Sequence, residues 1–415
     1  MRAPSNPPSG SDATALAGRG AIVWVGMAVA FAAGLLWWWQ SQGTSQPSVA
    51  LRQKAQLFMQ THQLDQARPI IERLNAGPGR ADEDRLLLGV LRKEEGRLNE
   101  AEEALAPISD DSDQAALTYL ARGQVERERY RMAHAERYFR RALEIDPDLL
   151  AARYELIYLY GMELRRPELH QQFREVSKRR ALPFRDVFLW CLTRRVDWDP
   201  EGSYKELSRY VEADPDDRQA RLALADCLRL LTRFDEGLET LDRLPKDDHE
   251  ARVLRARIYL DQGALPGAEA LLAEGPERDP GMARFQGRLA LARRDWQSAI
   301  EQFRIGLEAD PGDRDALFGL GQALNHLGRT EEARPYLKAA ADYDLVASLM
   351  TKAAADSAKD DPELIRALGA AFAAVGRRDE ARAWYRLLID RNPLDADAQE
   401  ALFRLREDEP LPPGR

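Results

Sequence analysis

The sequence is poor in the side chains that bind metals or form disulfides. It has two cysteines, Cys191 and Cys227, and five histidines among 415 residues. The cysteines form no CxxC pair and no zinc-site spacing, and no two histidines have the spacing of a helical metal pair. We expect both cysteines to be small core residues on apolar helical faces, with a disulfide between them as the alternative. No metal site and no cofactor is predicted.

Catalytic motifs are also lacking. The chain has no glycine-rich phosphate loop, no nucleophile elbow and no HExxH sequence. Aspartate and glutamate are abundant, but they fall at expected helix caps and on solvent-facing positions. The net charge of -9 arises from 60 basic and 69 acidic residues, so it is mildly acidic and mixed in sign. Since these catalytic motifs are missing, we predict that the chain is not an enzyme. Because nucleic-acid-binding domains normally present a basic face, we also predict that it does not bind nucleic acid.

Long apolar runs are missing, with one exception. Residues 21–39 read AIVWVGMAVAFAAGLLWWW and carry no charge. A helix of this length rises about 28 Å, close to the hydrocarbon thickness of a bilayer. The tryptophans from Trp37 to Trp39 suit the membrane interface. The run therefore predicts one transmembrane helix, with a cleaved signal peptide and a weak cleavage site near Gly43 as the alternative.

The charges beside this segment predict its orientation. Arg19 abuts its N-terminal end, whereas the first positive charge on the other side is Arg52. Because basic residues favour the cytoplasmic side, we expect a cytoplasmic N-terminus and an exported domain after the membrane segment. Residues 1–20 are rich in proline, serine and glycine and are expected to be disordered. Residues 40–48 are expected to form an uncharged polar linker.

The dominant pattern in the rest of the chain is a repeat with a period of about 34 residues, interrupted by two shorter steps and one longer step. Mostly small residues recur at this spacing, and we call their positions the register positions: Ala67, Ala101, Ala135, Leu169, Ser203, Gly237, Ala268, Ala299, Ala333 and Ala381. Four follow a short signal of the type Arg97-Leu-Asn-Glu-Ala101. This period is typical of arrays in which each unit buries its apolar face only against its neighbours.

Each unit is predicted to be a pair of antiparallel helices. In the third unit, Gly123 and Ala135 allow close approach, Phe139 fills the space one turn beyond, and Pro147 ends the unit. This pattern resembles the tetratricopeptide repeat (TPR), with small residues at positions 8, 20 and 27, an aromatic residue at 24 and proline at 32. The resemblance covers residues 49–394. It implies an all-α fold, an α-solenoid of about ten TPR-like helix pairs preceded by the transmembrane helix.

The turns, caps and ends of the array can be predicted as well. Four glycines are expected between paired helices: Gly96, Gly263, Gly328 and Gly376. Four residues, each followed by glutamate, are expected to be N-caps of second helices: Asn99, Asp235, Thr330 and Asp379. Asp199 and Asp361 are expected to be N-caps, each followed by a proline at the first position of its helix. The extra residues between Ala340 and Asp361 should lengthen or add a helix. Residues 395–408 are predicted to form a capping helix and residues 409–415 a disordered tail.

The resemblance also implies an inner groove lined by the first helix of each pair. Mapped onto this chain, that groove contains ten candidate partner-binding residues: Tyr154, Tyr158, Phe188, Arg195, Arg229, Arg257, Arg284, Arg288, Phe318 and Asn325. Because guanidinium groups bind carboxylates with two hydrogen bonds, the arginine stripe suits an acidic peptide or a C-terminal carboxylate. The alternative is that these arginines are solvated or are paired with Asp226 and Asp261 on the same faces.

Together these features predict a membrane-anchored scaffold that binds partner proteins during assembly or regulation of a bacterial cell-envelope complex. The chain resembles bacterial single-span proteins with an exported repeat domain. The alternatives are a cytoplasm-facing adaptor, a structural protein that assembles through its own groove, and a non-catalytic accessory subunit of an enzyme complex. The expected partners are the membrane and proteins or peptides with acidic segments, and a homo-oligomer is left open.

Overall fold

The computed structural model describes residues 47–76, 80–192, 200–273 and 279–407, which form helices and turns without a strand. The all-α prediction is therefore confirmed for this part of the chain. The predicted transmembrane segment, residues 21–39, lies outside the described residues, as do residues 1–20 and 409–415. None of the described helices is both long and apolar enough to cross a membrane.

The chain divides into two compact units, residues 1–159 and residues 160–415. The helices of the first unit are α1 (Pro47–Gln60), α2 (Leu64–Asn75), α3 (Asp82–Glu94), α4 (Leu98–Leu105), α5 (Ala115–Glu128) and α6 (Met132–Ile145), followed by α7 (Leu150–Met162) at the boundary. The second unit begins with α8 (Arg166–Arg179), α9 (Phe184–Cys191), α10 (Pro200–Ala213), α11 (Arg218–Leu230), α12 (Phe234–Asp242), α13 (His249–Gln262) and α14 (Leu265–Ala273). It continues with α15 (Pro280–Ala292), α16 (Trp296–Ala309), α17 (Arg314–His326), α18 (Thr330–Ala353), α19 (Pro362–Ala374), α20 (Arg378–Arg391) and α21 (Ala396–Glu407).

Glycine on a first helix lets the second helix of the pair approach closely. A Cβ added to Gly123 would lie 2.4 Å from the ring of Phe139. The same substitution at Gly287 would place a Cβ 2.7 Å from Phe303. Since real Cβ atoms do not approach other atoms so closely, each aromatic ring occupies the volume that a side chain would take. The predicted close approach of the paired helices is confirmed at these glycines, and the residue that lies against each glycine is the aromatic at position 24.

The turn between paired helices has one backbone conformation throughout the described units. Nine residues have positive φ, and each lies five residues before a register position: His62, Gly96, Tyr130, Leu164, Thr232, Gly263, Arg294, Gly328 and Gly376. The four predicted glycines are among them, with φ between 73° and 79°. Five units therefore adopt the left-handed conformation without the residue that adopts it most easily.

The predicted N-caps of the second helices are wrong by one or two residues. These helices begin at Leu98, Phe234, Thr330 and Arg378, after arginines whose side chains form no cap hydrogen bond. Each capping arginine instead pairs with a glutamate three residues later, with N–O distances of 2.7 to 2.8 Å: Arg97–Glu100, Arg233–Glu236, Arg329–Glu332 and Arg377–Glu380. Glutamate in the first turn also suits the positive end of the helix dipole. The repeated Arg-x-x-Glu signal is thus an ion pair across the helix start.

Aspartates cap several first helices in the way that the sequence suggests. The Asp361 carboxylate accepts hydrogen bonds from the backbone N–H groups of Glu363 and Leu364, as predicted. Asp217 and Asp248 cap α11 and α13 by the same kind of bond. Asp199 lies outside the described residues. These bonds satisfy backbone donors that the first turn of a helix leaves unpaired.

The extra residues after Ala340 both lengthen one helix and add another, and each outcome was predicted. Helix α18 is 24 residues long and is followed by a short 3₁₀ helix, Asp356–Asp360.

Cys191 and Cys227 are both buried and free, so the alternative of a disulfide is wrong. The described helix α21 lies within the segment for which a capping helix is predicted.

Most of the core consists of contacts between helices that are neighbours in sequence, but one set of contacts does not follow this rule. Phe184 of α9 packs edge-on against Trp384 of α20, with ring centroids 5.4 Å apart. Arg174 of α8 donates to Asp379 of α20 at 2.7 Å, 205 residues away in sequence. The expectation that each repeat packs only against neighbouring repeats is therefore wrong within residues 160–415. There, helices α8 and α9 contact α20, the penultimate helix.

Candidate partner-binding site

Four predicted arginines of the second unit line one pocket. Arg229 lies on α11, Arg257 on α13, and Arg284 and Arg288 lie on α15. Because these first helices follow one another in the array, equivalent helix faces place their side chains along one surface. The pocket has a volume of about 450 Å³ and extends to Phe318 on α17. The sequence thus predicts the grouping of five of the ten candidate residues.

Apolar side chains form part of the pocket lining beside the guanidinium groups. Five such residues contribute: Leu230, Phe285, Leu291, Phe303 and Phe318. Phe318 is 38% exposed, and the guanidinium of Arg314 lies 4.9 Å from the centre of its ring. An occupant of this pocket would meet positive charge and apolar surface together.

Asp226 and Asp261 pair with part of the arginine stripe. The Arg229 guanidinium donates to Asp226 and to Asp261, both at 2.7 Å. The Arg257 guanidinium donates to the same Asp226 carboxylate at the longer distance of 3.3 Å. The alternative that these aspartates pair with the arginines therefore holds for Arg229, which has two carboxylates. Arg257 shares the Asp226 carboxylate with Arg229.

Burial has a larger effect on the pKa of Arg257 than its ion pair with Asp226 has. Burial lowers the pKa of the Arg257 guanidinium, and the charges of Arg229 and Arg284 act in the same direction. Asp226 opposes the effect without overcoming it. An additional carboxylate beside Arg257 would favour its charged form, because an opposite charge stabilises a buried cation.

The two arginines of α15 differ in their surroundings. Arg284 donates to Asp313, the N-cap of α17, at 2.8 Å, and it lies over the ring of Phe285. Arg288 is exposed and lines the same pocket. Among the residues that the structure describes, no carboxylate forms an ion pair with Arg288. This guanidinium can therefore bind a ligand without first losing a partner in the described helices.

The other candidate residues are not brought into this pocket. Tyr154 and Tyr158 belong to the first unit, where the Arg127 guanidinium lies 5.9 Å from the ring of Tyr158. Phe188 stacks on Phe184 within α9, with ring centroids 6.3 Å apart. Asn325 is exposed on α17 but does not line the pocket, and Arg195 lies outside the described residues.

Sequence reasoning missed several residues that shape the site. Asp315 of α17 lines the pocket, and Asp313 accepts a hydrogen bond from Arg284. Asp313 follows Pro311 and Gly312 and immediately precedes a helix, so its capping role was readable from the sequence. Its second role was not, because the bond to Arg284 depends on how two consecutive units pack.

The arrangement provides charge and shape for binding. It has one guanidinium without an ion pair among the described side chains, one buried guanidinium with a shared carboxylate, and an apolar wall. In the described ranges, no group of three or more metal-ligating side chains converges. An anionic segment with an apolar side chain would complement this surface.

Comparisons with known proteins identify the repeats. Residues 199–256 and residues 286–347 each match a family profile described as tetratricopeptide repeat. No curated protein matches the sequence. These two segments therefore match tetratricopeptide repeats, as their spacing predicts.

Solved structures resemble the chain at low sequence identity. One is the APC/C hetero-tetramer Cut9-Hcn1, with 15% identity, a TM-score of 0.36, and coverage of 89% of this chain and 81% of that chain. Another is the P58(IPK) TPR domain, with 14% identity, a TM-score of 0.27, and coverage of 79% and 97%. TM-scores of this size do not establish a common overall shape, and nothing about binding follows from them.

Proposed function

Because this chain carries tetratricopeptide repeats, we propose that it is a scaffold that binds partner proteins, and that the arginine-lined pocket of the second unit receives an acidic segment of a partner. The repeats provide consecutive helix pairs, and a surface that continues over several pairs suits an extended or helical peptide. The chain acts by binding in this proposal, without catalysis of its own.

The observation that carries the proposal is the unequal pairing of charges in the pocket. Asp226 is shared by Arg229 and Arg257, and Arg288 has no ion pair among the described residues. Cations that lie close together repel one another unless carboxylates answer them. A partner carboxylate beside Arg257 and Arg288 would supply the missing negative charge, and Phe318 would contact an apolar side chain next to it.

We propose further that residues 21–39 anchor the scaffold in a membrane and that the repeats are exported. This proposal is supported by the length of the uncharged run and by Arg19 at its N-terminal end. A scaffold held at the bilayer would act in the assembly or regulation of a bacterial cell-envelope complex. Reporter fusions at Arg415 test the orientation, and a reporter active only in the cytoplasm would contradict export.

The binding proposal is tested by reversing the charge of Arg288. In-membrane crosslinking followed by mass spectrometry compares the proteins captured by the wild type and by Arg288→Glu. We expect the variant to lose the main partner while retaining its helical content, because this side chain is exposed and forms no ion pair with the described residues. Capture by the wild type should weaken as salt rises, since salt screens exposed charges.

Arg334→Glu is the matched control. Arg334 is an exposed arginine of α18 that pairs with its helical neighbour Glu331, and it does not line the pocket. Capture should be unchanged in this variant. Equal capture by the wild type and by Arg288→Glu would contradict the assignment of the pocket. Partner-free assembly of the wild type, seen as a particle size that grows with concentration in light scattering, would favour a self-assembling structural protein.

A further inference from the structure

Helix α21 begins a helix pair that the described residues do not complete. Phe403 follows Gly369 by 34 residues, one repeat period, so it stands at position 8 of the next pair. In the preceding pair a Cβ at Gly369 would lie 2.8 Å from the Tyr385 ring, so position 8 is where the second helix packs. No described helix follows α21. The place of its second helix is therefore open among the residues that the structure describes.

The open side of α21 carries apolar side chains where the end of an array is normally polar. Phe403 is 57% exposed, and Leu394 in the preceding turn is 88% exposed. The other side of the helix holds Ala398 and Leu405, which are buried, and the Leu405 carbonyl accepts a hydrogen bond from Arg382 of α20. The terminal repeat of a soluble array needs a polar outer face. Large exposed apolar side chains at this end therefore indicate a contact surface.

The exposed face of α21 is complementary to itself in the antiparallel direction. Ala396 and Asp397 lie in its first turn, Phe403 and Arg404 lie in its second half, and all four are exposed. When two copies of this helix align antiparallel with Phe403 beside the second copy's Ala396, Arg404 comes beside the second copy's Asp397. The small alanine leaves room for the ring, and the opposite charges attract. The alignment also brings Leu394 beside the last turn of the second copy's helix.

We propose that this face binds the same face of a second copy of the chain, so that each α21 takes the place of the missing second helix of the other. Because both copies use the same surface, the contact closes at two copies and does not grow into a polymer. A helix of 12 residues spans about 18 Å, so the interface is small and the dimer is weak. The proposal is independent of the arginine pocket, whose lining includes no residue of α21.

The residues that follow α21 are poorly suited to cover it. Residues 408–415 contain prolines at positions 410, 412 and 413. Because proline inside a helix removes a backbone hydrogen bond and clashes with the preceding turn, this sequence predicts no helix of the length of α21. A second copy, in contrast, supplies a helix of matching length and charge.

The experiment measures crosslinking between cysteines introduced into the full chain in membranes. Gln399 lies near the centre of the proposed helix pair, so the two copies of Gln399→Cys approach each other across the two-fold axis. Gln297→Cys, at an exposed glutamine of α16, is the matched control. Cys191 and Cys227 are fully buried and stay in place, so the wild type gives the background. We expect a short thiol-specific crosslinker to join Gln399→Cys into dimers about ten-fold faster than Gln297→Cys, or more.

The apolar part of the contact is tested by adding Phe403→Glu to Gln399→Cys. We expect this substitution to slow dimer formation about ten-fold or more, because an aromatic anchor at the centre of an interface carries much of its binding energy. Helical content should be unchanged, since the ring is exposed. Leu345→Glu replaces a leucine of α18 that is 53% exposed, and it should leave the rate of crosslinking unchanged.

Exchanging the charges tests the antiparallel direction. Asp397→Arg and Arg404→Asp, each added to Gln399→Cys, should slow crosslinking about two- to ten-fold, because like charges then face each other twice in a dimer. Arg404 also pairs with Glu400 of its own helix at 2.5 Å, so one variant alone does not isolate the contact between copies. Membranes that contain both variants should recover crosslinking in mixed dimers, because the exchanged charges attract there.

Four results would overturn the proposal. Crosslinking of Gln399→Cys that is no faster than that of Gln297→Cys would show that α21 does not face a second copy. An unchanged rate in Phe403→Glu would show that the crosslinks arise from random collisions. Dimers that form only after residues 408–415 are deleted would assign the surface to the chain's own tail. Crosslinks to a protein of another size, in place of dimers, would assign it to a different partner.

Discussion

At the scale of single residues, the turn between paired helices shows how strictly the repeat fixes the backbone. Thr232 has φ of 59° and occupies the same place as Gly263 in the next unit, where φ is 79°. A β-branched residue rarely adopts this conformation, because its side chain crowds the backbone. The surrounding helix pair therefore imposes the turn on Thr232.

Replacing Thr232 with glycine should relieve this strain. We expect Thr232→Gly to raise the local free energy of unfolding by about 0.5–1 kcal/mol, after the larger entropy of unfolded glycine is subtracted. Hydrogen exchange of the amides in α11 and α12 measures the change. Gly263→Ala is the reverse control: an added Cβ meets nothing within 4 Å, so any loss of stability reflects backbone conformation alone. Faster exchange in Thr232→Gly would show that the threonine makes a contact worth more than the strain.

A second prediction at this scale concerns the glycines inside helices. A Cβ at Gly123 would lie 2.4 Å from Phe139, whereas one at Gly161 would meet nothing within 4 Å. We expect Gly123→Ala to destabilise its repeat by about 1–3 kcal/mol through overpacking, even though alanine favours helices. Gly161→Ala should be neutral or stabilising. Hydrogen exchange of α5 and α6 reports the first change, and equal effects of the two substitutions would contradict close packing at Gly123.

These residues also mark the limit of what the sequence can predict. Glycine signals the left-handed turn in four units, and the repeat period gives the place of the others only when the units are aligned. Thr232 and Tyr130 carry no local signal of positive φ, because the conformation comes from the helix pair. The N-cap prediction failed for a related reason: Asn99 and Asp235 are good caps in isolation, but the fixed turn starts each helix at an earlier residue.

At the scale of helices, aspartates connect the start of one first helix to the preceding repeat. The Asp248 side chain caps α13 through the Ala251 N–H and accepts two hydrogen bonds from Arg218 of α11, at 2.6 and 2.9 Å. The bond from Arg218 holds the pKa of Asp248 below its usual value, although burial acts in the opposite direction. One carboxylate thus stabilises a helix end and an interface between units.

This arrangement predicts how acid affects α13. A carboxylate with a lowered pKa in the folded state stabilises the fold above its unfolded pKa, here 3.8, and loses that contribution as pH falls through the lowered pKa. We expect the stability of α13 that depends on Asp248 to be constant well above pH 3.8 and to fall below it. Asp248→Asn keeps a capping oxygen but cannot ionise. The difference in thermal stability between the wild type and this variant, measured against pH, should shrink on acidification, and a constant difference would contradict the ionic role.

At the scale of the whole molecule, most large apolar side chains of the described residues lie within the helix pairs and between them. Large side chains such as Phe139, Phe303 and Trp384 are fully buried, and they pack against residues of other described helices. We therefore expect a chain of residues 45–415 to be soluble and almost entirely helical. Circular dichroism and sedimentation measure both properties. Substantial sheet content, or insolubility in several expression hosts, would contradict this prediction.

The contact between Phe184 and Trp384 shows what repeat periodicity cannot encode. Phe184 and Trp384 both fit the pattern of core residues in their own units, and nothing in the repeat spacing relates the fifth unit to the tenth. Their contact depends on the small rotation accumulated from unit to unit, which depends on side-chain packing at every interface. The arginine pocket was easier to predict, because it repeats one helix face across consecutive units.

The fixed turn has a consequence for how such a chain changes its length over generations. Every described turn within a pair keeps the same distance to its register position, so the shorter and longer steps between register positions arise after the second helix has begun. A gene segment for one helix pair could thus be duplicated, lost or extended at its far end without altering the hairpin that it encodes. Insertions engineered after Ala353 should be inherited stably under selection, whereas insertions beside Gly328 should be purged.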